Sequence, residues 1–373
     1  MKFSKDLFKT YLIYFIVMLA FVLVRILASV GAFSFIKSTF WQSNVATLVI
    51  QILIMGLLPL FLVKLLFKKS FKQIFEDIGF KKVSLKVVIL CVLLGICVYI
   101  LNIFVASVFN FLLSLLGYSS GGGSGSSAET SVSVISFLFS TIFVAVLPAI
   151  FEEITHRGIL MRGCANKTGY KKAIIISSVL FGLMHLNISQ CFYATFIGMI
   201  IGFVSSMTGS IIPAIILHFM NNFLNVYVSY STAGNWVGGR FINSIYEKLG
   251  SMNAISGFLV IMLILIVVIF AGILIILKLF KETRYKQFSN SIVNVASTIN
   301  QTEEDNLTEN DISETFFNFI VPYLKNYTII ELMLPNDSNS VKKFDLKTNL
   351  FLIANLFMGA LITLFTFIWG VLW

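Results

Sequence analysis

Seven side chains near the middle of the sequence could carry chemistry: Glu152, Glu153, His156, Arg157, His185, His218 and Asn222. They include all three histidines of the chain. On a helix, Glu153 and Arg157 lie four residues apart and share a face, so they form a structural ion pair. Glu152 points about 100° away, pairs at best with His156, and is the carboxylate left to act. Glu152 and His185 suit deprotonation of a water, directly or through a metal. His218 and Asn222, also four apart, direct an imidazole and an amide at one spot, where they would hold a carbonyl and its developing oxyanion. The catalytic candidates are therefore Glu152, His185, His218 and Asn222. Glu152, His185 and His218 also form a ligand set for a divalent metal such as zinc, but no HExxH motif is present and the cofactor stays open. Each residue has a bland alternative: a protonated buried carboxyl, a helix-contact histidine, or an amide that glues two helices.

The elements that must position these groups are membrane helices. The chain of 373 residues is 58% hydrophobic and only 12% charged, against about 25% charged in soluble domains. Several apolar runs exceed the roughly 20 residues that span a bilayer. They are continuous rather than alternating, which excludes a β-barrel. The expected fold is an all-α polytopic membrane bundle of about nine transmembrane helices, near 10–30, 45–67, 87–116, 132–162, 173–186, 191–207, 211–228, 254–280 and 350–373. Residues 71–81 form an amphipathic interfacial turn, and 229–253 a polar loop. In domain terms, 1–118 holds three N-terminal helices and 119–131 is a flexible Gly/Ser linker. Residues 132–280 form the catalytic core with the eighth helix, 281–348 a polar cytosolic segment, and 349–373 a C-terminal helix. Gly198 and Gly202 permit close helix packing. Cys91, Cys97, Cys164 and Cys191 lie in apolar surroundings without metal spacing and read as small buried hydrophobes.

The net charge of +10 does not mark a nucleic-acid binder, because the basic residues follow the topology. Of 27 lysines and arginines, 23 fall on the segments at one end of the bundle and 3 at the other. This places the N-terminus in the cytosol and the C-terminus outside, with anionic lipid headgroups at the basic end. Arg25 alone stands within a run, and it snorkels or pairs inside the bundle. From the cytosolic helix ends, Glu152, His185 and His218 lie at depths of about 15, 20 and 12 Å. Three helices thus bring a carboxylate and two imidazoles to similar depth, in a site expected to open toward the cytosol.

At these residues the chain resembles the CPBP (CAAX protease and bacteriocin-processing, Abi) intramembrane protease family, which includes the type II CAAX prenyl endopeptidases. Glu152, Glu153 and Arg157 fit its EExxxR element. Phe181 and His185 fit FxxxH, and His218 and Asn222 fit the third element. The resemblance covers about 132–228 and implies a CAAX-protease-like core that hydrolyses peptide bonds within the membrane. It assigns Glu152 and His185 to water activation and His218 and Asn222 to the oxyanion site. His156 departs from the family pattern, which places an aromatic or aliphatic residue before the arginine. The implied partners are membrane lipid and a hydrophobic or prenylated peptide or protein substrate, in a plasma membrane that the Lys-, Asn-, Ile- and Phe-rich usage of an AT-rich genome suggests is bacterial. The rival readings are a non-enzymatic bacteriocin-immunity or scaffold protein of the same fold, and a proton-coupled transporter.

Overall fold

In lipid every backbone polar group must be satisfied within its own segment, so the apolar runs fold as helices. The computed structural model describes residues 6–36, 39–118, 132–283 and 345–372, and no strand occurs among them. Helix α1 is Leu7–Ser29, started by Asp6, whose side chain accepts from the Lys9 amide. Helix α2 joins Thr39–Leu48, a π-helical Val49–Leu57 and Leu58–Phe67. The short α3, Phe71–Asp77, begins with a Ser70–Gln73 capping box and is pinned by a Lys69–Asp77 ion pair. Helix α4 is Leu85–Leu115. Helix α5 runs through Val134–Thr168 and contains two π-helical stretches, Thr141–Val146 and Ile154–Met161. Then come α6 (Tyr170–Met184), α7 (Ile188–Thr208, capped by Asn187), α8 (Ile212–Gly234), α9 (Gly239–Ser251), α10 (Ala254–Thr283) and α11 (Leu346–Leu372).

Three apolar clusters hold the bundle together. One joins α1, α2, the end of α5 and α6, with α11 packed on its outside. The second joins α4, α7, α8 and α10. The third ties α1 and α2 to α3, α5 and Ile211 at the lysine-rich end. At that end Gly79, at φ +85°, lies against the Arg162 guanidinium where no side chain would fit. Its carbonyl accepts the Ile211 amide at 2.9 Å, which fixes the start of α8.

Two of the three π-helical stretches, Val49–Leu57 and Thr141–Val146, sit beside prolines. Proline has no N–H for the carbonyl four residues earlier, and its ring crowds that carbonyl. Pro59 thereby releases the Met55 carbonyl, which accepts the Thr155 hydroxyl at 2.5 Å. Pro148 releases the Val144 carbonyl, which accepts from the Asn222 amide at 3.0 Å. In both cases a side chain from or beside the candidate site restores what the proline removed.

Several boundaries differ from the sequence expectation. Among the described residues, seven helices rather than nine are long and apolar enough to cross a membrane. Helix α6 has 15 residues and reaches about 22 Å, short of a bilayer core of about 30 Å. Helix α8 is long enough but is diluted by His218, Asn221, Asn222 and Asn225. The expected polar loop 229–253 is largely helical, because α8 continues to Gly234 and α9 follows. Its apolar Phe241, Ile242, Ile245 and Leu249 recur at helical spacing, which polar composition had masked. The expected Gly/Ser linker 119–131 and nearly all of the polar segment 281–348 lie outside the described residues.

Candidate active site

The four-residue spacing on α5 brings Arg157 Nη1 to 2.9 Å from Glu153 Oε1, with both side chains fully buried. Arg157 Nη2 donates to the Gly198 carbonyl of α7 at 3.0 Å. A Cβ at Gly198 would stand 3.0 Å from that same nitrogen, so the bare backbone here serves an arginine rather than helix packing alone. The same Glu153 oxygen lies 2.8 Å from His218 Nδ1. A carboxylate only accepts, so His218 Nδ1 carries a proton. That Nε2 lies 4.0 Å from Glu152 Oε2. His218 thus stands between the two neighbouring carboxylates.

Glu152 is set differently. Its side chain retains 15% exposure, and Oε1 accepts from the Gln51 amide at 2.8 Å. With His185 it lines a cleft of about 210 Å³, whose other polar walls are Arg25, Thr47, Gln51 and Gln190. His185 does not sit within a helix, as the sequence suggested, but at the C-cap of α6. The next residue, Leu186, turns into the left-handed region at φ +53°, and α7 starts at Ile188. His185 Nδ1 lies 3.0 Å from the Phe181 carbonyl, which fixes the proton on Nδ1 and leaves Nε2 as an acceptor.

Phe181 connects the three imidazoles. Its ring meets His156, His185 and His218 edge-on, with centroids 4.9, 5.1 and 5.6 Å away. The Arg157 guanidinium lies over the same ring, 4.6 Å from its centre. His156 is fully buried. Its Nδ1 lies 2.8 Å from the backbone carbonyl of Glu152, not its carboxylate, and its Nε2 lies 3.1 Å from the Tyr14 hydroxyl. The pairing of Glu152 with His156 therefore runs through the backbone: His156 folds back onto its own helix turn and links it to α1.

Asn222 shares the α8 face of His218, but its amide is occupied. It donates to Val144 and accepts from Asn221 at 3.1 Å, and Asn221 in turn accepts from Asn102 of α4 at 3.0 Å. Gln51, Tyr14 and Asn102 were overlooked in the sequence. Each is a polar group in an apolar run, and such a residue is a functional candidate by default.

Gly158 touches Ile78 beside the short α3, and Glu152 lies six residues, about 9 Å, deeper. From there the cleft runs away from the lysine-rich end. Thr47 is a turn beyond Gln51, and Arg25 is eleven residues, about 16 Å, beyond Tyr14. The expectation of a site opening at the lysine-rich end is thus corrected: the cleft lies on the far side of Glu152, because the short α6 leaves room there.

Glu152, His185 and His218 do not converge into a metal site as they stand. Among the described residues, no group of three or more His, Cys, Asp or Glu could hold a metal ion. His218 spends one ring nitrogen on Glu153, and Glu152 spends one oxygen on Gln51.

A buried carboxylate–imidazole–guanidinium cluster thus lies beside a polar cleft, and one comparison with known proteins bears on it. Residues 134–224 match the family model described as Type II CAAX prenyl endopeptidase Rce1-like. Over that segment the chain is similar to this family. The match runs from the first turn of α5 to just past Asn222, so Glu152, Glu153, Arg157, Phe181, His185, His218 and Asn222 all fall within it. No curated protein and no solved structure matched the chain. The matched segment is thus embedded in a longer helical chain, whose α1, α2, α4, α10 and α11 surround it.

Proposed function

We propose that the chain is an intramembrane endopeptidase that hydrolyses a peptide bond of a membrane-associated peptide or protein. The observation that supports it most is the shared cleft of Glu152 and His185, backed by the His218–Glu153–Arg157 series. A water in the cleft gives a proton to Glu152 while its oxygen attacks the scissile carbonyl carbon. Gln51 holds the second carboxylate oxygen and so aims the first. The His185 Nε2 lone pair accepts the other water proton as a hydrogen bond and orients the nucleophile. The proton on Glu152 passes to His218 Nε2, a gap of 4.0 Å that a small rotation or one water closes. The doubly protonated His218, held by Glu153, then donates to the oxyanion and delivers the proton to the leaving amine as the C–N bond breaks. Asn222 adds its remaining N–H. No step runs through a metal.

The substrate class is hydrophobic or prenylated, and the setting is a bacterial plasma membrane with the lysine-rich end in the cytosol. A role in bacteriocin processing or immunity fits the same chemistry. The test is cleavage of a tagged membrane peptide by purified Glu152→Gln and His185→Ala. Each should lose activity by about 10²-fold or more. Wild-type cleavage by both variants would overturn the assignment of water activation to these residues, and absence of cleavage by the wild type itself would favour a non-enzymatic scaffold.

A further inference from the structure

The two sides of Glu152 differ in character. Toward the lysine-rich end, every residue from Glu153 to Ala165 is buried. In that direction Leu60, Val63, Ile78, Ile154, Ile159 and Ile211 close into one apolar cluster. On the opposite side, three helices place polar groups on the cleft wall: Arg25 of α1, Thr47 of α2 and Gln190 of α7. Lys9 lies over the Phe67 ring at 5.7 Å, and the Ser210 hydroxyl donates to the Lys81 carbonyl at 2.7 Å. These contacts fix which ends of α1, α2 and α7 meet at the lysine-rich face. Counted along the helices from those ends, Arg25, Thr47 and Gln190 all stand about 25–30 Å away. Arg25 and Gln190 are exposed, so the cleft runs out to the far boundary of a bilayer core about 30 Å thick.

The turn between α6 and α7 requires water on that same side. Helix α6 reaches only about 22 Å, so His185, Leu186 and Asn187 reverse the chain within the thickness of the bilayer. Non-helical backbone at such depth persists only inside protein or against a water-filled cavity. All three residues are half-buried, and His185 borders the cleft. Water therefore fills the notch beyond this turn and reaches Glu152 from the far side. We propose that substrate takes the same route as water, from the face opposite the lysines. The substrate is then an apolar peptide presented at the outer face of the membrane, after export or from outside, and not the end of a cytosolic protein. This assignment rests on the endopeptidase reading and on the cytosolic placement of the lysine-rich end given above.

The test uses the full chain in sealed, right-side-out membrane vesicles, with the four native cysteines replaced by alanine. Single cysteines are then placed at the mouth (Thr47→Cys, Gln190→Cys) and, as a control, at the lysine-rich end (Lys72→Cys). A sulphonated maleimide added outside should label both mouth positions as fast in sealed as in opened vesicles. Crossing the apolar core is costly for a charged reagent, so Lys72→Cys should label roughly 100-fold more slowly until the vesicles are opened. A quenched apolar peptide with a membrane-impermeant tail, added outside, should slow labelling of Gln190→Cys. Wild type should cleave it as fast in sealed as in opened vesicles. Mouth cysteines that label only in opened vesicles, or not at all, overturn the proposal. External labelling of Lys72→Cys also overturns it, because the topology is then inverted. Protection by external peptide without cleavage in opened vesicles would sink the endopeptidase and keep the outward route. Cleavage only of peptide enclosed within the vesicles would do the reverse. If the peptide neither protects nor is cleaved, both fall. Should the cysteine variants fail to fold, the side from which wild type accepts the peptide decides alone.

Discussion

Glu152 and Glu153 are neighbours in sequence, yet replacing each by glutamine should produce opposite phenotypes. Glu153→Gln removes a charge from a fully buried site where one oxygen serves both Arg157, at 2.9 Å, and His218, at 2.8 Å. The amide oxygen still accepts, but the guanidinium is left buried without its counter-ion. Breaking one side of a buried pair costs about 3–5 kcal/mol, a large part of a typical folding free energy of about 5–15 kcal/mol. Glu152→Gln keeps the oxygen that Gln51 bonds at 2.8 Å, and its cleft side is already partly exposed. Its stability should change by no more than about 1 kcal/mol, while turnover drops about 10²–10⁴-fold through loss of the base. Reversible unfolding in mixed micelles measures the first quantity and peptide cleavage the second. Equal destabilisation by the two variants, or a Glu153→Gln protein as stable as wild type, would refute the division of labour between the carboxylates.

Other outcomes follow from individual contacts. Asn222→Ala should cost about 1–3 kcal/mol, since it orphans the Val144 carbonyl beside Pro148; unfolding midpoints check it, and an unchanged midpoint would show that the contact is idle. Tyr14→Phe should cost about 1 kcal/mol through its bond to His156 and lower cleavage less than tenfold, because neither residue lines the cleft; a collapse of kcat at unchanged stability would give His156 a chemical role. Gly182→Ala would place a Cβ 2.0 Å from Thr195 Oγ1 and 2.4 Å from the Cys191 carbonyl. Pushing α6 from α7 should cost about 1–3 kcal/mol and reduce activity through His185, and a variant with wild-type midpoint and rate would contradict the packing.

The all-α bundle was legible because apolar length alone demands helices in lipid, and the Glu153–Arg157 contact because four-residue spacing is geometric. Other features carried no such signal. In LMHLN only Asn187 marks the break, as the cap of α7; that His185 itself leaves the helix depends on Leu186 taking a positive φ. Two of the π-helical stretches left Pro59 and Pro148 as traces and the third, Ile154–Met161, left none, and proline alone does not say which side chain will take the freed carbonyl. Arg25 was visible as an intramembrane charge, but its place on the cleft depends on how α1 lies against α6, which no local pattern encodes. Gln51 reads in sequence as a single amide among aliphatics, although it touches the candidate base.

Phe181 lines the cleft and also covers the Arg157 guanidinium. A single benzene ring is thus a partition between two media. On one side, water reaches Glu152 and His185, and charges there are screened. On the other, Glu153 and Arg157 interact through a medium of low polarisability, where the same separation is worth several times more. A smaller residue at this position would merge the compartments, wet the ion pair and loosen its hold on His218, without altering any group that takes or gives a proton.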